Sequence, residues 1–282
     1  MTPLTDLTSA DYLGFPGGLY PGGNSRPPSY EEAGIALAKT VQPLDGAGKP
    51  SASGKIPLVA IGMSNTSSEF SQFIGLADAD PGKNSSLLMI DAALSRANAR
   101  EIAKPAGDYW RYVGRQLQSK NVSEAQVQVI WLKTALASEP GGFPERPRIL
   151  QHELRSIVEI LRSRFPQLKL VYVSSRIYGG YSQIDLSPEP IAYESGFAVK
   201  WLLEDYIRTW GDGDSMPWLS WGPYLWADGL MPRSDGLIWE RGDFEPDGVH
   251  PSRQGAFKVG RMLLDFFQTD STAKPWFLSA DR

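Results

Sequence analysis

The chain has 282 residues, 41% of them hydrophobic, enough for one large α/β core, and its net charge of −4 comes from interspersed basic and acidic residues. No basic stripe of the kind a phosphate backbone needs is present, so nucleic acid is not an expected partner. Cysteine is absent and histidine occurs twice, which removes disulfides, thiolate metal sites and cysteine nucleophiles and argues against zinc.

The start, Met1-Thr2-Pro3-Leu4-Thr5-Asp6, lacks the charged and apolar regions of a signal peptide, and no run approaches the roughly 18 apolar residues of a membrane span. A soluble protein is expected; one secreted or sent to the periplasm with its leader removed would read the same. Residues 1–54 are punctuated by Gly17-Gly18, Pro21-Gly22-Gly23, Pro27-Pro28 and Gly46-Ala47-Gly48, with one helical patch at 30–40. Tyr12, Phe15 and Tyr20 argue for an arm packed down on the rest, since a free linker gains nothing from aromatic side chains. Residues 55–282 are then the main domain.

The organising stretch is Ile56-Pro57-Leu58-Val59-Ala60-Ile61, which stops abruptly at Gly62-Met63-Ser64-Asn65. An unbroken apolar run bounded by turn formers predicts a fully buried parallel strand, whose carboxyl end is where open α/β sheets place their chemistry. A helix is expected at 67–76, a second strand at 85–91, and a helix over 92–118 broken near Pro105-Ala106-Gly107. A third strand follows at 127–132. Leu150, Leu154, Ile157, Val158 and Leu161 make a helical stripe that Pro166 ends, with His152 on its polar side. A fourth strand at 168–174, a helix at 190–210 and a short fifth strand at 217–222 come next. Ser252 is a good N-cap for a last helix carrying Phe257, Val259, Met262, Leu263, Phe266 and Phe267. Strands alternating with helices imply a parallel sheet covered on both faces, a three-layer α/β/α sandwich.

Nucleophilic catalysis needs a hydroxyl, a base within reach and a group that orients the base. Ser64, His250 and Asp247 supply all three: Asp247 and His250 are three residues apart across the turn-forming Gly248, and His250 follows the last predicted strand, at the same sheet edge as Ser64. The plainer readings are that Ser64 caps the next helix and that Asp247 makes an Asx-turn.

Gly62-Met63-Ser64-Asn65 and Asp247-Gly248-Val249-His250-Pro251-Ser252 resemble the first and last blocks of the SGNH (GDSL-type) hydrolases. The resemblance covers the order of elements from about Lys55 to Thr269. It implies a flavodoxin-like sheet, Ser64 as nucleophile, His250 as base and Asp247 as its partner, with no metal or organic cofactor. The middle blocks depart from that family's pattern. Its usual oxyanion donors are a glycine amide after the second strand and an asparagine after the third; here those places read Asp91-Ala92-Ala93-Leu94-Ser95-Arg96-Ala97 and Trp131-Leu132-Lys133-Thr134-Ala135. Met63 also replaces the acidic residue of Gly-Asp-Ser. Since one such donor is worth about 3–4 kcal/mol, a substitute is expected among Asn65, Ser95, Lys133 and Thr134. For Lys133 the alternative is a buried ion pair with Asp91. Arg176 either holds a substrate carboxylate or sugar hydroxyl, or pairs with Glu189 or Glu194. Trp218, Trp221, Trp226 and Trp239 cluster before His250, where aromatic faces can stack on a sugar. The expectation is therefore a serine esterase acting on a small-molecule or carbohydrate ester, with an acylated carbohydrate foremost. The alternative is a weak or inactive carbohydrate-binding protein on the same fold.

Overall fold

The computed structural model describes residues 1–7, 10–137, 140–211 and 216–279. A small antiparallel ribbon, β1 (Asp11–Tyr12) with β2 (Phe15–Pro16), belongs to the N-terminal segment. The main sheet has five parallel strands: β3 (Ile56–Gly62), β4 (Leu87–Asp91), β5 (Val129–Lys133), β6 (Leu170–Val173) and β7 (Trp218–Trp221). Their spatial order is β4-β3-β5-β6-β7. Counted along the chain within this sheet, that is the flavodoxin-like order 2-1-3-4-5, in which the crevice opens beyond the carboxyl end of the first strand, where the winding reverses. Ser64 follows that strand directly.

Alternation along the strands sorts the core into two layers. Val59, Ile61, Ile130, Leu132, Val171 and Val173 point to the side covered by α4 (Asp108–Ser119), α5 (Glu145–Arg164) and α6 (Ile191–Thr209). Leu58, Ala60, Val129, Trp131, Leu170 and Tyr172 point to the side covered by α1 (Pro28–Ala38), α2 (Ser64–Asp78), α7 (Arg253–Thr269) and α8 (Lys274–Phe277). Both faces being buried explains why β3, β5 and β6 read as unbroken apolar runs.

α7 begins where expected, with the Ser252 hydroxyl accepting from the Gly255 N–H at 3.3 Å. Two expectations are corrected. The helix over 92–118 is instead a loop from Ala92 to Asn98, the short α3 (Ala99–Ile102) and α4. Trp218, Trp221, Trp226 and Trp239 are core residues, each at most 2% exposed, and each indole N–H is already used, by Tyr30 O, Leu19 O, Glu189 and Leu225 O respectively. None of them offers a face to a sugar.

Candidate active site

β3 delivers Ser64 onto the first position of α2, after Met63 in extended conformation. Gly62 is required there, because a Cβ would lie 2.1 Å from Lys133 O and 2.4 Å from the Thr66 hydroxyl. The three residues after the serine each tie α2 to a different neighbour. The Asn65 amide donates to Val249 O at 3.0 Å, the Thr66 hydroxyl to Lys133 O at 2.6 Å, and the Ser67 hydroxyl to the Asp91 carboxylate at 2.5 Å. Buried bonds of this kind contribute about 1 kcal/mol each. They fix the first turn of α2 to the loop that carries His250, to β5 and to β4 at once.

His250 Nε2 lies 2.9 Å from Ser64 Oγ, and its Nδ1 lies 2.6 Å from Asp247 Oδ2. An ionised carboxylate only accepts, so Nδ1 carries the proton and Nε2 is the acceptor facing the serine hydroxyl. The other Asp247 oxygen accepts the Val249 and His250 N–H groups at 2.9 and 3.0 Å. One carboxylate therefore both closes the Asx-turn and holds the His250 ring. Burial opposes ionisation of Asp247, but the Val249 N–H, the His250 ring and the His250 N–H together hold it below the usual carboxylate range. Gly248 permits the loop: its φ is +71°, and a Cβ would collide with Tyr181 O at 1.8 Å.

Ser64, His250 and Asp247 form an unbroken hydrogen-bonded chain at the switch point of a 2-1-3-4-5 sheet. The chain is similar to the SGNH hydrolases. No protein-family profile matches it, and no curated protein matches it in sequence. Among solved structures it is similar to a GDSL-like lipase from Bacteroides thetaiotaomicron, at 10% identity over 84% of this chain and 95% of that one, with a TM-score of 0.40. It is also similar to a carbohydrate esterase family 3 protein from Talaromyces cellulolyticus, at 15% identity, 76% and 97% coverage and a TM-score of 0.37. A third likeness is the periplasmic domain of a lipopolysaccharide acetyltransferase from Salmonella ser. Paratyphi A, at 12% identity, 84% and 95% coverage and a TM-score of 0.44.

The cleft beside the serine has a volume of about 320 Å³ and is lined by Met63, Ser64, Ser95, Arg96, Asn98, Ala137, Leu186 and His250. Of the four residues expected to supply an oxyanion donor, the cleft takes Ser95 alone. The Asn65 side chain is turned to Val249. Thr134 is buried, 3% exposed, outside the cleft lining. Lys133 is engaged elsewhere, and its partner is Glu69 rather than Asp91: both carboxylate oxygens lie 2.6 Å from its Nζ, with the two side chains 2% and 0% exposed. Burial pulls the Lys133 ammonium down to about 8 against the attraction of Glu69, and burial likewise pushes the Glu69 carboxyl up. Glu69 was invisible in the sequence because only folding brings α2 onto β5.

Arg176 is also buried, 2% exposed, with Nε and Nη1 lacking a hydrogen-bond acceptor among the described residues. It neither lines the cleft nor pairs with Glu189 or Glu194. Glu189 instead accepts from Trp226, Gly179 and Tyr193, and Glu194 accepts from Tyr12 and faces Arg146. His152 is exposed on α5. Among the described residues no cluster of His, Cys, Asp or Glu has the arrangement of a metal site, and no helix is long and apolar enough to cross a membrane.

Proposed function

We propose that this chain is a divergent serine hydrolase of the SGNH type that cleaves esters of short acyl groups through an acyl-enzyme. The observation that carries this reading is the Ser64–His250–Asp247 chain, at 2.9 and 2.6 Å, opening onto a cleft. Ser64 Oγ attacks the ester carbonyl carbon while its proton passes to His250 Nε2, and Asp247 stabilises the resulting imidazolium. As the tetrahedral adduct collapses, that proton goes to the departing alkoxide. Water then repeats the sequence on the acyl-enzyme, giving the free acid and restoring Ser64.

At about 320 Å³ the cleft is at the small end of ligand pockets, and Met63, Ala137 and Leu186 give it apolar walls. That suits a short acyl group. The alcohol half lies toward the open side, where an acylated carbohydrate remains the leading class, although its support no longer includes tryptophan stacking. The competing reading, an inert triad on a carbohydrate-binding protein, draws on the missing donors of the middle blocks.

Steady-state hydrolysis of p-nitrophenyl acetate, butyrate and octanoate, beside acetylated sugars, separates the two. Turnover of the two short esters, poor turnover of octanoate and complete loss in Ser64→Ala support the esterase. An inert wild-type protein that binds glycans as well as Ser64→Ala does would replace it with the binding reading.

A further inference from the structure

We infer that Asn98 supplies the oxyanion donor missing from the loop after β5. This inference rests on the hydrolase reading above and names a residue that catalyses it. Asn98 lines the cleft with Ser64 and His250. Its Oδ1 accepts from the Arg100 and Glu101 N–H groups at 3.0 and 3.3 Å, capping α3. The oxygen is thereby committed and the rotamer fixed, leaving Nδ2, which has no acceptor among the described residues, as the group available to the cleft.

The loop around it is equally fixed. Leu94 N–H donates to Gly62 O at 3.0 Å, two residues before the nucleophile, and Ala99 N–H donates to Ala135 O at 2.9 Å, immediately after Lys133-Thr134. Tyr109 braces the same junction, donating to Ala92 O at 2.9 Å and accepting the Gly62 N–H at 3.1 Å. Arg96, at φ +68°, makes the sharp bend that returns the chain. Asn98 is thus held between the end of β3 and the segment after β5, where a serine hydrolase of this topology needs a donor but this chain has Thr134 and Ala135. An asparagine arriving from the neighbouring loop fills that place. Held by its own cap, its N–H group meets the developing negative oxygen without reorganisation, and the adjacent Ser64 N–H, which precedes the first helical bond of α2, is the natural second donor.

The capping role makes the test selective. Asn98→Asp and Asn98→Ser both keep an oxygen to cap α3 and both remove the N–H donor. With p-nitrophenyl acetate, each is expected to lower kcat by on the order of 100- to 1,000-fold with KM nearly unchanged. The melting temperature stays within a few degrees of wild type, and affinity for a short alkylboronic acid, which forms a tetrahedral anion on the serine, falls in parallel. Ser95→Ala, changing another polar side chain of the cleft, lowers kcat far less than either Asn98 variant. If the Asn98 variants retain wild-type kcat and boronate affinity, or if Ser95→Ala takes their place as the damaging change, Asn98 is not the donor while the hydrolase reading stands. A wild-type protein that neither turns over esters nor binds the boronate overturns both.

Discussion

At the scale of single residues the site depends on close approaches that tolerate no added atom. Gly62→Ala forces a methyl group against Lys133 O and Thr66, so stability should fall by about 1–3 kcal/mol in urea titrations, with a loss of activity as Ser64 is displaced. An unchanged midpoint would show that α2 can shift to make room. Asp247 makes a prediction in pH. Its carboxyl titrates lower in the folded protein than in the unfolded chain, so the unfolded state binds more protons as pH falls. Its stabilising contribution is complete above the ordinary carboxylate range and is lost as pH drops through the folded value. Asp247→Asn should therefore flatten the acid limb of a plot of stability against pH. A limb as steep as that of wild type would contradict the hydrogen-bond account. These residues were legible because Gly62-x-Ser64 and Asp247-x-x-His250 are local spellings. Asn98 was not, because the apolar pattern ran a helix straight through its position and hid that it is a cap.

Between elements, the Glu69–Lys133 pair joins α2 to β5 just behind Ser64. Losing one partner of a buried pair leaves an uncompensated charge, so Lys133→Met should cost about 3–5 kcal/mol while the folded protein keeps its kcat. A double-mutant cycle with Glu69→Gln should show strong coupling between the two positions. Retained stability with a collapsed kcat would instead put the ammonium on the reacting oxygen. The elements themselves were readable in order, since the buried β3, β5 and β6 are long apolar runs and Ser252 marks the start of α7. Their partners were not. A run of tryptophans before His250 looks like an exposed platform until the sheet shows Trp218 and Trp221 on β7, with their indole nitrogens bound to the N-terminal segment.

Across the whole molecule, that N-terminal segment closes the edge of the sheet at β7. Tyr20 and Arg26 reach the Ser220 hydroxyl at 2.7 and 2.9 Å, the Tyr30 hydroxyl donates to Leu219 O at 2.8 Å, and Arg26 also pairs with Asp270. Open strand edges invite association with other chains. Removing residues 1–27 should lower the urea midpoint and raise light scattering at micromolar concentration; a monomer of unaltered stability would deny the segment this role. The same long-range closure brings Ser64 to His250, 186 residues apart in sequence. The most direct measurement is labelling of the intact protein with a fluorophosphonate at neutral pH, followed by peptide mapping. An isolated serine hydroxyl is too weak a nucleophile to react, whereas one whose proton passes to His250 is not. A triad working as proposed gives a single adduct on Ser64 that disappears in Ser64→Ala and His250→Ala and forms more slowly in Asp247→Asn. Failure of the wild-type protein to label, or labelling of Ser64 that survives His250→Ala, would contradict it.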